Sequence, residues 1–98
     1  FDADSFDLCV CFETLEHVGD IAAALRSIAK WLRPGAWLVG TVPMPGHIHH
    51  GDPTCDVPEP ERLRALMVDA GFASITTENS ASTVYGDEPC CTYFKGCR

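Results

Sequence analysis

Leu8-Cys9-Val10-Cys11-Phe12 is an unbroken apolar run, preceded by the polar residues Asp2, Asp4 and Ser5. A run with no polar alternation suits a strand covered on both faces in a parallel sheet. After an acidic turn, Ile21, Ala24, Leu25, Ile28 and Leu32 recur at spacings of three and four, the stripe of an amphipathic helix. Asp20 stands just ahead of that stripe and is a good N-cap, because its carboxylate can accept the orphan N–H groups of the first turn. Pro34-Gly35 is expected to end the helix, and Trp37 to Val42 gives a second buried strand.

The stretch from Pro43 to Pro60 holds five of the seven prolines and three of the four histidines, so it reads as a loop. Glu59-Pro60-Glu61 then signals a helix start, with proline in the first turn and acidic groups at the positive end of the dipole. Leu63, Leu66, Met67 and Ala70 form its apolar stripe, and Gly71 supplies a left-handed stop before Phe72. Ala73 to Glu78 and Thr92 to Cys97 read as short strands, separated by the polar, turn-forming Asn79 to Pro89 and able to pair as an antiparallel hairpin. The order strand, helix, strand, helix, strand, strand predicts an α/β layer architecture with right-handed crossovers.

Composition narrows the function classes. The 98 residues, 46% hydrophobic and 21% charged, describe a globular chain of about one small domain rather than a disordered one. The chain begins at Phe1 and runs straight into a strand, which reads as a piece of a longer protein or a processed product. No basic leader precedes an apolar stretch, and no apolar run approaches the roughly 20 residues needed to cross a bilayer. The expectation is a cytoplasmic protein without a membrane partner. A net charge of -7, with only seven scattered Lys and Arg, argues against nucleic acid as a partner. It also makes Trp31 and Trp37 packing residues rather than base-stacking platforms. Of the six cysteines, Cys9 and Cys11 behave as small hydrophobes inside a strand, and a reduced state is expected for Cys55, Cys90, Cys91 and Cys97.

Several motifs occur together. Phe6-Asp7 opens the first strand, Glu13, Glu16 and His17 form E-x-x-E-H after it, Leu32-Arg33-Pro34-Gly35 ends the helix, Pro43 follows the second strand, and Ala70-Gly71-Phe72 precedes the third. In this order and at these spacings they resemble the second half of a class I S-adenosylmethionine-dependent methyltransferase. The resemblance covers nearly the whole chain. It implies the second half of a Rossmann-like, doubly wound α/β sheet, running from the family's fourth strand to its seventh. The final antiparallel strand would slot between the fifth and sixth. Residues 1–98 would then be a partial domain whose glycine-rich half is absent.

In open parallel sheets ligands sit outside the carboxyl ends of the strands, where Cys11, Phe12 and Glu13 fall. By resemblance, this turn lies along the methionine and adenosine parts of S-adenosylmethionine. Cys11 and Phe12 have a packing role in the core as the competing reading, whereas a carboxylate such as Glu13 at the end of a buried strand requires partners or solvent. The resemblance puts His17 close to the transferred methyl group. There it would act either as general base for a hydroxyl acceptor or as a helix-start residue bonded to a neighbouring loop. Met44, His47, His49, His50 and Tyr85 are candidate contacts for a small-molecule acceptor.

The same residues admit a metal alternative. Small-RNA terminal-ribose methyltransferases and some quinone-biosynthesis O-methyltransferases hold a divalent cation with a similar constellation, here Glu13, Glu16, His17 and His50. Relatives without a metal share the motif, so the main reading has none. A site with one wall cannot desolvate its ligand, so the isolated segment is expected to be inactive, and the strand at Leu8 to Phe12 offers an unpaired edge for self-association. The rival classes are a non-catalytic interaction module and a dinucleotide-binding half, the latter disfavoured because no G-x-G-x-x-G is present.

Overall fold

The structure, a computed structural model, describes residues 1–44, 55–81 and 89–98. Its elements are β1 (Phe6–Phe12), a 3-10 turn (Leu15–His17), α1 (Ile21–Trp31), β2 (Leu32–Pro43), α2 (Pro60–Ala70), β3 (Ala73–Ala81) and β4 (Pro89–Cys97). They build one four-stranded sheet in the order β1-β2-β4-β3. β1 and β2 are parallel, with Cys11 opposite Gly40 and Phe12 opposite Thr41. β4 is antiparallel to both β2 and β3, so β3 runs in the direction of β1 and β2. The expected hairpin forms, and its second strand lies between β2 and β3, where the resemblance implied.

The helix ends follow local chemistry. The Asp20 side chain accepts the Ala23 N–H at 3.0 Å, capping α1. Pro60 occupies the first turn of α2, and Gly71, at φ 103°, closes it by donating its N–H to Met67 and Val68 carbonyls. One expectation is corrected. Pro34-Gly35 does not stop α1, which has already ended at Trp31, but lies inside β2. Leu32 is extended at ψ 141° while its N–H still reaches Ile28, and Gly35 turns the chain at φ 86°. This irregular start of β2 is held from the far end of the chain. The Gly35 N–H donates to the Arg98 carbonyl, the Arg98 N–H donates to Ala36, and the Arg98 guanidinium contacts Asp4 and the Leu32 carbonyl.

The two helices share one core with the sheet, in which Leu25, Leu32, Leu38, Val42, Leu63 and Met67 are wholly buried beside Cys11, Phe72, Ile75 and Phe94. Burying each leucine contributes about 1.5–3 kcal/mol. A second correction concerns β1. Only Cys9 and Cys11 face this core, while Leu8, Val10 and Phe12 are 53%, 52% and 58% exposed. Both described helices lie on one side of the sheet, so the run expected to be covered on both faces is covered on one. Trp31 packs against the core, edge-on to Phe1. Trp37, by contrast, is exposed with the Lys95 ammonium 5.5 Å from its ring centroid. No described helix is long and apolar enough to cross a membrane.

Candidate functional site

The turn after β1 is built by a backbone reversal at its carboxyl end. The Glu13 N–H continues the parallel ladder by donating to the Thr41 carbonyl at 2.9 Å, but its φ of +48° sends the chain out of the sheet. That left-handed conformation costs a side-chain-bearing residue about 1–2 kcal/mol. The Thr14 hydroxyl donates back to the Phe12 carbonyl at 2.9 Å, and the His17 N–H closes the following 3-10 turn on the Thr14 carbonyl. Leu15 and Glu16 point inward and are buried, whereas Glu13 and His17 are exposed. The E-x-x-E-H carboxylates therefore part company, one at the rim and one in the interior.

The cofactor candidates separate in the same way. Cys11 belongs to the core. Burial first, then the neighbouring Cys9 and Glu16, push its thiol above the ordinary range, against a lowering hydrogen bond from Thr14. Phe12 is exposed and lines, with Val39, Thr76, Glu78, Tyr93 and Lys95, a groove of about 360 Å³ on the open face of the sheet. Glu13 stands between them at the strand end. Cys11 thus reaches the rim only through its backbone, while Phe12 and Glu13 present side chains to it.

Met44 follows β2 at the same end of the sheet and lines a groove of about 500 Å³ with Glu59, Pro60 and Glu61. Its sulfur accepts from the Thr92 hydroxyl, a wholly buried group that also contacts Asn79 Oδ1 at 3.1 Å. His47, His49, His50 and Tyr85 lie outside the described residues. So does one member of the metal alternative, His50. Among the described residues no three His, Cys, Asp or Glu side chains come together as a metal-binding group.

One part of the site was missed from sequence. The segment entering α2 docks on the 3-10 turn, where the Asp56 N–H donates to the Glu16 carbonyl at 2.9 Å. Arg62 grips the Asp56 carboxylate with both terminal nitrogens at 2.7 Å each. Arg62's hydrogen bonds and charge hold that carboxyl below its ordinary value. Beside it, Cys55 Sγ lies 3.4 Å from His17 Nδ1. An acid a few residues ahead of an arginine in the first turns of a helix is a signal that could have pointed to the Asp56–Arg62 pair. Nothing local connects Cys55 to a histidine 38 positions away.

This arrangement has counterparts among known proteins. A family profile described as a methyltransferase domain matches residues 1–77. Ubiquinone biosynthesis O-methyltransferase from Albidiferax ferrireducens is 47% identical over 34 residues, 35% of this chain and 14% of that protein. Its namesake from Aeromonas salmonicida is 53% identical over 32 residues, 33% of this chain and 13% of that protein. Among solved structures, an S-adenosylmethionine-dependent methyltransferase from Thermotoga maritima, described as a possible histamine N-methyltransferase, superposes with a TM-score of 0.79 at 17% identity. That match covers 98% of this chain and 57% of the other. An S-adenosylmethionine-dependent methyltransferase from Mesorhizobium loti gives 0.79 at 18% identity, over 98% of this chain and 64% of its own. At these identities the structures establish the fold, of which this chain spans less than two thirds. With the family profile extending over most of the sequence, the chain belongs to the class I S-adenosylmethionine-dependent methyltransferases.

Proposed function

We propose that the whole protein transfers a methyl group from S-adenosylmethionine to a hydroxyl of a small molecule, and that residues 11–17 form one wall of its reaction site. The observation that carries this reading is Glu13, held left-handed at the carboxyl end of the parallel β1–β2 pair with His17 exposed one turn later. The names of the curated relatives, O-methyltransferases of ubiquinone biosynthesis, support oxygen as the acceptor atom.

The residues present fit the cofactor as a partial wall. Glu13 offers a carboxylate that accepts hydrogen bonds from hydroxyl or ammonium groups, and Phe12 offers an exposed ring for apolar contact. Bound S-adenosylmethionine would supply an electrophilic methyl group on a sulfonium. The chain's own work is to align the acceptor and receive its proton. Nδ1 of His17 faces Cys55, so Nε2 is the ring atom that takes the hydroxyl proton. Met44, at the mouth of the second strand, borders the acceptor.

Calorimetric titration of the full-length protein with S-adenosylmethionine tests cofactor binding, and mass analysis of phenolic acceptors tests turnover. His17→Gln should retain binding and lose most turnover; retained turnover removes His17 as the base. The isolated segment carries one wall of the site, so it should give no saturable heat. Its unpaired β1 edge, with Leu8, Val10 and Phe12 exposed, should instead drive self-association. Saturable binding by a monodisperse segment would refute both statements.

A further inference from the structure

A thiol becomes a nucleophile at neutral pH when a neighbouring cation stabilises its thiolate, and an imidazole within hydrogen-bond reach is the commonest such neighbour. Four of the described cysteines, Cys9, Cys11, Cys55 and Cys97, differ sharply by this criterion. Cys9 and Cys11 are packed against or within the core, and burial raises both thiols above the ordinary range. Cys97 has a carbonyl for a partner, that of Arg98 at 3.8 Å. Cys55 alone among these four is half-buried in contact with a ring nitrogen, His17 Nδ1 at 3.4 Å.

The contact is built rather than incidental. The residue after Cys55 is fixed twice, by its N–H on the Glu16 carbonyl and by the two-pronged grip of Arg62 on its carboxylate. The residue before His17 carries the carbonyl that receives the first of these bonds. Backbone and ion pair therefore hold the sulfur and the imidazole against each other from both sides. Among the described residues, the ionisable groups on these elements include Glu13 and the buried Glu16 at the turn, Glu59, Glu61, Arg64 and Asp69 on or beside α2, and Asp56 with Arg62, which pair with each other.

We propose that Cys55 and His17 form a thiol modification site that takes small-molecule disulfides. The Cys55 proton passes to His17, and the thiolate attacks one sulfur of the disulfide. A bond forms between Sγ and that sulfur as the original sulfur–sulfur bond breaks. The departing thiolate collects the proton from His17 and leaves as a free thiol. Cys55 is oxidised to a mixed disulfide, half of the reagent is reduced, and no further oxidant is needed. The thiol chemistry stands without any assumption about methyl transfer. Its consequence for the enzyme rests on the proposed function: a group on Cys55 occupies the space beside His17 and withdraws that ring from the acceptor.

The test treats full-length protein with cystamine, a small cationic disulfide suited to an acidic chain, and follows each cysteine by peptide mass spectrometry. Cys55 is expected to react at least about tenfold faster than Cys9, Cys11 and Cys97, and His17→Gln is expected to remove most of that advantage. A Cys55 rate equal to that of Cys97, or unchanged in the variant, overturns the proposal. If the variant does not fold, the pH profile of the unmodified protein decides. Its inflection should fall below the ordinary thiol value of about 8.5, and an inflection at that value overturns the pair. These rates are read without a methyl acceptor, so an inactive methyltransferase leaves them intact. Loss of turnover after capping, restored by dithiothreitol, would separately tie the site to the reaction.

Discussion

Glu13 combines a backbone penalty with a side chain at the rim, and two substitutions separate these contributions. Its φ of +48° costs a residue with a Cβ about 1–2 kcal/mol, which glycine escapes. Glycine in turn loses more chain entropy on folding, about 0.5–1 kcal/mol relative to alanine. Both Glu13→Gly and Glu13→Ala delete whatever the carboxylate contacts, so comparing them cancels that loss and isolates the backbone. Glu13→Gly should exceed Glu13→Ala in stability by about 0.5–1 kcal/mol, the reverse of the usual order of these residues. Urea unfolding of the two full-length variants at equal m-value reads the difference as a shift in midpoint. S-adenosylmethionine affinity should fall equally in both. A hydrogen bond to a charged group is worth about 1.5–3 kcal/mol, or roughly 10- to 150-fold in Kd. An alanine variant as stable as the glycine variant refutes the strained turn. Undiminished affinity in both removes Glu13 from the cofactor site.

Other parts of the structure predict equally definite outcomes. A Cβ on Gly40 would lie 2.1 Å from the Cys11 carbonyl oxygen and 2.6 Å from the Phe94 ring, so Gly40→Ala should cost at least about 3 kcal/mol by thermal melting. An unchanged Tm would contradict the close β1–β2 approach. Asp20→Ala should lose about 1 kcal/mol of stability in urea, with Asp20→Asn retaining most of it. Asp56, whose ordinary value is 3.8, is lowered by Arg62. The stability that this pair contributes is complete above that value and is lost as pH falls through the depressed one. A carboxyl NMR titration of Asp56 should show its midpoint moving up in Arg62→Ala; a midpoint indifferent to Arg62 contradicts the ion pair.

Much of the fold was legible because it rests on short-range rules. The stripe from Ile21 to Ile28, the Asp20 cap, Pro60 in the first turn of α2 and Gly71 at its end are each decided within a few residues, and each appears as read, whereas Leu32 falls in β2. The family resemblance implied the strand topology, including the insertion of the last strand between its predecessors, and the sheet has that order. Pro34-Gly35 was misread because proline and glycine signal a break in direction without naming the element that contains it. Arg98, at the other end of the chain, holds that break inside a strand.

The sequence by itself determined where the elements lie, which strands run parallel and which turn occupies the sheet's rim. Only the tertiary structure decided which side of β1 is covered, since an apolar run does not record where the helices will pack. It also decided that Glu16 turns inward while Glu13 stays at the rim, and that Cys55 meets His17. Local periodicity is a property of neighbouring residues. A contact across 38 positions exists only after the chain has closed the loop between them and fixed both ends in the same packed layer.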